Sequence, residues 1–178
     1  MYCTHCGKPL TRKIPPGETV LRHVCEACQV IHYQNPKVVA GCIPEWEGRI
    51  LLCRRAIEPR SGLWTFPAGF MELGESVEQA AARETREEAK AEVVITGLYA
   101  VFSLVHVDQV YVIYRGRLSE PTFGVGHESS QVELVRPDKI PWDQLAFPVI
   151  EESLRRYVAD LAGGQFGPHY GIVKKRIQ

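Results

Sequence analysis

Four cysteines near the start leave this chain little freedom. Cys3-x2-Cys6 and Cys25-x2-Cys28 are two thiol pairs separated by 18 residues. A two-residue spacer lets a tight turn aim both sulfurs to one side. Two such turns supply four thiolates to one tetrahedral ion, and zinc suits that set. The competing readings are two disulfides or four free thiols. In a reducing compartment clustered cysteines are more often metal ligands than disulfides. His5, His23 and His32 lie close by, but with four thiols to hand they are expected to face solvent or to hydrogen-bond.

Pro15-Pro16-Gly17 reads as a turn between two short strands, Leu10–Ile14 and Thr19–Val24. This is the layout of a zinc ribbon over residues 1–34, too poor in apolar bulk to fold without its metal. The cations between the pairs (Lys8, Arg12, Lys13, Arg22) are few, so a bracing or dimerising role is expected. Lys and Arg total 21, balanced by 21 Asp and Glu. A neutral chain has no broad basic field, so nucleic acid is not an expected partner. No apolar run is long enough to cross a bilayer. No charged-then-apolar leader precedes Cys3, which points to the cytoplasm.

Tyr33-Gln34-Asn35-Pro36 reads as a boundary turn, and a larger domain follows over residues 35–163. Lys37–Pro44 and Arg49–Arg55 are rich in β-branched and aliphatic residues, hence two antiparallel strands around Trp46-Glu47-Gly48. Cys42 and Cys53 inside them are expected to be buried and reduced. Arg54 and Arg55 end a strand. Neighbours there point to opposite faces, so at most one of the two is expected to meet a ligand, and a surface strand-end cation is the competing reading for either. In GLWTFP, Trp64 and Phe66 divide between core and the wall of a binding site.

The densest chemistry lies in Gly69–Ala91, GFMELGESVEQAAARETREEAKA. Ser76 and Gln79 form a capping-box pattern, and Val77–Lys90 contains no Gly or Pro, so a helix runs here. Val77, Ala80 and Ala81 give it a narrow apolar stripe for close packing on a sheet. Glu84, Glu87 and Glu88 fall within an arc of about 100°. Like charges at i,i+4 destabilise a bare helix. Hard divalent cations prefer carboxylate oxygens, so Mg²⁺ or Mn²⁺ would fit the cluster. The bland alternative is a solvated face paired with Arg83 and Arg86.

Beyond the helix, Glu92–Leu104 reads as strand, in two pieces bent near Gly97, and Gln109–Leu118 as another. Tyr111 and Tyr114 are candidates to stack on a base. Pro121–Ser130 is a glycine-containing loop expected to be mobile, with Gln131–Val135 a strand leading out of it. Pro148 opens a helix to Ala162 with Val149, Leu154, Tyr157, Val158 and Leu161 as its buried side. The tail, 164–178, carries no assignable chemistry.

The pattern Gly69-x5-Glu75-x7-Arg83-Glu84-x2-Glu87-Glu88 resembles the Nudix box of the Nudix hydrolases at all six positions. The family usually has glycine where Lys90 stands and a bulky aliphatic where Thr85 stands. The resemblance implies an α/β/α sandwich with a central mixed sheet behind the zinc ribbon, and a homodimer. It implies that Glu84, Glu87, Glu88, the Gly69 carbonyl and Glu128 hold Mg²⁺ or Mn²⁺, with Glu133 as the fallback for Glu128. Arg83 would hold a glutamate in place and Glu75 would brace the loop. Arg54, Arg55, Trp64, Phe66 and Tyr111 are the candidate substrate contacts.

The arrangement is also similar to NADH pyrophosphatases. Those carry a Ser-Gln-Pro-Trp-Pro-Phe-Pro-type stretch where this chain has GLYAVFSLVHVDQV. A closer resemblance, carried by YQNPKVVAGC, GLWTFPAGFMELGES, QVYVIYRG, GHESS, LAFPVI and PHYGIVKKR, is to zinc-ribbon Nudix hydrolases of FAD or ADP-ribose. It implies cleavage of FAD to FMN and AMP, or of ADP-ribose. An NADH pyrophosphatase, a cap or triphosphate hydrolase and a non-catalytic nucleotide sensor are the alternatives.

Overall fold

The computed structural model describes residues 1–175. The chain divides into two compact units, Met1–Pro36 and the part from Lys37 onward. In the first, β1 (Leu10–Lys13), β2 (Arg22–Cys25) and β3 (Ile31–His32) form an antiparallel sheet in that order. The second strand begins at Arg22 rather than Thr19. The Glu18 carboxylate accounts for this by gathering Arg22 Nε at 2.7 Å and Tyr33 OH at 2.8 Å, which holds the intervening chain as a loop. The unit buries little beyond Cys3, Pro15, Val24 and Cys25. A core that small cannot offset the ordering entropy of 36 residues.

In the second unit β4 (Lys37–Trp46), β5 (Arg49–Arg55), β8 (Val93–Leu104), β9 (Gln109–Leu118), β10 (Ser129–Val135) and β11 (His169–Ile172) line up as β10-β5-β4-β9-β8-β11. Two short strands, β6 (Trp64–Thr65) and β7 (Ala68–Phe70), pair with β5 and β4. β4 runs parallel to β9 and β8 to β11, while the other pairs are antiparallel, so the sheet is mixed. Glu47 and Gly48, at φ 45° and 73°, make the tight β4–β5 turn. β8 is one strand where two were expected. Its register slips on either side of Gly97 and Leu98, so bulges absorb the bend.

Helix α1 (Val77–Ala89) covers one face of the sheet, setting Ala80 and Ala81 against Ala40, Cys42 and Tyr114. Tyr114 thereby packs under α1, outside the cleft that Tyr111 lines, and is not available to a base. The capping box is present: the Ser76 hydroxyl accepts from Gln79 N–H at 3.2 Å and Gln79 Oε1 accepts from Ser76 N–H at 2.7 Å. Thr85 is fully buried, and its hydroxyl donates to Ala81 O at 2.8 Å. Lys90 ends the helix at φ 51°, ψ 33°, a left-handed conformation that costs a residue with Cβ about 1–2 kcal/mol.

Helix α2 (Pro148–Gly163) covers the opposite face, packing Val149, Ile150, Leu154 and Tyr157 against Ile43, Leu52, Phe66 and Tyr99. The two helices and the sheet make an α/β/α sandwich. Leu161, expected on the buried side, is 39% exposed; Ile150 and Ser153 take the inner positions instead. The tail returns to the sheet as the edge strand β11, which the sequence reading did not assign; positions 176–178 lie outside the described residues. No helix among the described residues is long and apolar enough to cross a membrane.

Candidate active site

The acid-bearing face of α1 borders a cleft of about 850 Å³. Arg83 organises it. Its Nε and one terminal nitrogen straddle Glu75 at 3.0 and 2.8 Å. The other terminal nitrogen donates to Glu84 at 2.8 Å and to Glu87 at 3.0 Å. A fifth bond, at 3.0 Å, goes to the carbonyl of Phe70 on β7. One guanidinium thus ties the helix to the preceding loop and to the sheet, a task its planar fork suits. Glu75 also accepts from Glu72 N–H at 2.7 Å. Arg83 and then that amide pull the Glu75 carboxyl down to about 2. Glu75 itself stands outside the cleft.

Glu84 and Glu88 are buried. Burial raises both carboxyls, and for Glu88 the charge of Glu84 adds to it, pushing the group up to about 8. The Ala68 N–H at 3.3 Å opposes that rise only in part. Gly69 presses its backbone so closely on the Glu84 carboxylate that a Cβ there would collide with it. Glu87 is the outermost of the three. Glu128 lines the same cleft, and its charge raises both Glu84 and Glu88.

Glu128 gets there because its loop is docked. Gly124 N–H donates to Ala89 O at 2.7 Å and Gly126 N–H to Glu88 O at 3.1 Å, satisfying carbonyls at the end of α1. The loop that was expected to be mobile is tied to α1 at Gly124 and Gly126 by these bonds. Glu133, the fallback, is exposed outside the cleft.

Among the substrate candidates, Arg55 and Tyr111 line the cleft. Arg54 does not. It turns to the neighbouring loop, donating to Gly62 O at 2.7 Å, because alternation along β5 sends it to the other face. Trp64 and Phe66 are both core and neither borders the cleft, so the expectation that one of them forms a substrate wall is overturned. Adjacent short strands draw both rings inward between the sheet and α2. The aromatic surface comes instead from Phe70, Tyr111 and Phe147. Phe147 has the Arg55 guanidinium 5.3 Å above its ring. Nothing local in the sequence marks Phe70 or Phe147. Lys90 also borders the cleft, and its place beside the glutamates was the available signal.

Clustered carboxylates are a hard-oxygen donor set of the kind Mg²⁺ and Mn²⁺ take. The Gly69 carbonyl, expected to join them, turns to β4 instead, because Gly69 pairs with Ala40 across the two strands. Buried, mutually repelling Glu84 and Glu88 are what a cation would relieve, so the residues fit the ion. In the first unit the four sulfurs of Cys3, Cys6, Cys25 and Cys28 all lie within 4.8 Å of one another, and none is in a disulfide. Cys3 and Cys28 are 3.6 Å apart and Cys6 and Cys25 3.4 Å, close to the edge of about 3.8 Å that a zinc tetrahedron needs. His32 Nε2 sits 3.3 Å from Cys3 Sγ as a hydrogen-bond partner.

The sequence profile for the NUDIX domain matches residues 35–157, and that for the Nudix N-terminal zinc ribbon matches residues 1–34. The chain belongs to the Nudix hydrolase family. This Nudix hydrolase is 50% identical to a NUDIX hydrolase from Nitrosomonas europaea whose crystal structure superposes with a TM-score of 0.95, over 98% of this chain and 99% of that one. It is 37% identical over 91 residues to the NAD-capped RNA hydrolase NudC of Salmonella heidelberg, and 37% identical over 95 residues to that of Edwardsiella ictaluri. Those matches take in 49% and 52% of this chain, and 32% and 34% of the relatives, so the chain spans about a third of their length. An ADP-ribose pyrophosphatase from Streptococcus suis, 20% identical with a TM-score of 0.64 over 77% of this chain and 100% of that one, shares the fold.

Proposed function

We propose that this Nudix hydrolase cleaves the pyrophosphate bond of a nucleoside diphosphate linked to a second moiety, using Mg²⁺ or Mn²⁺, and that nicotinamide dinucleotides stand ahead of FAD and ADP-ribose as substrates. The observation carrying the reaction is the Arg83 clamp: it fixes Glu84 and Glu87 at a cleft where Glu88 and Glu128 also meet. The order of substrates rests on the NudC relatives, which the resemblance to FAD hydrolases does not outweigh.

Water adds its oxygen to one phosphorus, the bridging P–O bond breaks, and the bridging oxygen leaves with the other phosphate. NADH would give AMP and reduced nicotinamide mononucleotide. A divalent cation, when bound, neutralises phosphate charge and lowers the pKa of water. Glu84, Glu87 and Glu88 would hold it. Arg83 keeps two of those carboxylates from turning away, and Glu75 keeps Arg83 in place. Glu128, across from the helix on its docked loop, either joins the ligands or takes the proton of the attacking water. Arg55 supplies a cation for the diphosphate, and Tyr111, Phe70 and Phe147 supply faces for a base. The four cysteines would hold zinc as a structural ion.

The test is incubation with Mg²⁺ and, separately, NADH, FAD, ADP-ribose, dGTP and a short RNA bearing a 5′-NAD cap, with release of AMP or nucleotide followed by chromatography. Turnover of a dinucleotide lost in Glu88→Gln supports the reading. Binding without turnover of any compound would replace it with the sensor. Faster turnover of the capped RNA than of NADH would make RNA the substrate class.

A further inference from the structure

The segment after α2 carries no group of the reaction, yet it contributes Val173 to the wall of the cleft. Phe166 lies beneath Arg115, whose guanidinium carbon is 3.3 Å from the ring centroid. Arg115 is held in turn by both oxygens of Glu45, at 2.6 and 2.9 Å. The rings of Tyr157 and Tyr99 close around Phe166, at centroid distances of 5.7 and 6.5 Å. His169 Nε2 meets Asp160 at 2.7 Å, and the same carboxylate oxygen accepts from Tyr99 OH at 2.9 Å. From these anchors β11 pairs with β8 residue by residue, His169 with Ala100 through Ile172 with Ser103. Val173 N–H then donates to Ser103 O at 3.0 Å.

That register delivers Val173 to the cleft wall at 8% exposure, beside Val39, Leu104 and Tyr111. Phe70 and Val107 continue the same lining. None of these side chains is charged and none comes from α1. His106 and Gln109 also border the cleft, and Lys37 Nζ stands 4.9 Å from the Phe70 ring centroid, so the apolar slot is the part formed by Val39, Leu104 and Val173, where phosphate has no partner. A planar base does, through area burial and ring contact with Tyr111 and Phe70.

We propose that Val173 is a specificity-determining residue that sets the room for a planar base in this slot, with Phe166 and His169 as positioning residues that act through it. The proposal rests on the nucleotide-hydrolase reading for its ligand class, but its test needs no turnover. Binding of AMP, nicotinamide mononucleotide, FMN and inorganic pyrophosphate to the full chain is measured by calorimetry with Mg²⁺ present. Val173→Phe, which fills the slot, is expected to weaken at least one mononucleotide about tenfold while leaving pyrophosphate within about twofold. Val173→Ala, which removes apolar contact, is expected to weaken the same mononucleotide about fourfold. Phe166→Ala lies outside the cleft and is expected to move that mononucleotide alone as well. Circular dichroism checks the fold of each variant; should Val173→Phe not fold, the two alanine variants decide. Unchanged mononucleotide affinity, an equal loss for pyrophosphate, or no mononucleotide binding by the parent chain overturns the proposal. Absence of turnover with these binding differences intact would overturn only the hydrolase reading.

Discussion

Gly126 stands against the carbonyl oxygen of Glu87 with no room for a Cβ between them. The contact lets the loop before β10 hydrogen-bond to the end of α1, and it aims Glu128 at the carboxylates of that helix. Gly126→Ala forces the loop off the helix. The expected cost is about 2 kcal/mol of stability and at least a tenfold loss of kcat, because Glu128 leaves the cleft. Thermal melting and steady-state kinetics check both. A variant with normal kcat would show that Glu128 is not needed where the docked loop puts it.

The helix was legible because its signals are local: the Ser76–Gln79 box, the small stripe at Ala80 and Ala81, and the acids one turn apart all lie within thirteen residues of one another. The ribbon was legible for the same reason. What failed was the assignment of side chains whose fate depends on distant strands. Trp64 and Phe66 divide between core and a binding wall when taken in isolation, yet the core between the sheet and α2 claims both. The loop 121–128 looks mobile because its glycines are flexible in isolation; here they serve close approach to α1. The edge strand β11 has a weak pattern, and it forms because Phe166 and His169 find partners more than forty residues away in sequence, on β8 and β9, as well as on α2.

Arg83 satisfies three glutamates and one carbonyl with a single side chain. Lysine keeps the charge but cannot reach four groups with one ammonium. Arg83→Lys is therefore expected to cut kcat by about a hundredfold with a smaller change in KM, since it loosens the carboxylates and leaves the apolar wall intact. Pre-steady-state or steady-state kinetics at saturating Mg²⁺ separate the two parameters. Full activity in the lysine variant would reduce the clamp to a surface ion-pair network.

The first unit offers a metal test of its own. With so few buried apolar side chains, its order depends on the ion its four sulfurs converge to hold. One zinc per chain is expected by elemental analysis. Treating the protein with a strong chelator and a thiol reagent should make residues 1–36 exchange amide hydrogens freely. Cys25→Ser should do the same without chelator. Unchanged protection after zinc is shown to have left would mean that the unit folds on its own apolar contacts.

Glu88 gives the pH dependence. Its carboxyl is raised from the model-compound value of 4.5 to about 8 by burial and then by the charge of Glu84, and Glu84 is raised in the same direction by its own burial. The folded chain therefore holds protons that the unfolded chain has released between about pH 4.5 and 8. Where the native state binds more protons, stability falls as pH rises, so the metal-free protein should melt progressively lower across that window and level off above it. At about 1.4 kcal/mol per pH unit the loss for Glu88 approaches ~5 kcal/mol. Mg²⁺ binds the anionic form and should raise the melting temperature more at pH 8 than at pH 6. Glu88→Gln removes the titrating group, so it should flatten the profile and cancel most of the pH-dependent gain from Mg²⁺ while abolishing turnover. Melting curves from pH 5 to 9, with and without Mg²⁺, decide it: a midpoint that climbs toward pH 8 in the absence of added metal, or a glutamine variant with the parent slope, would show that Glu88 is not the group that burial holds protonated.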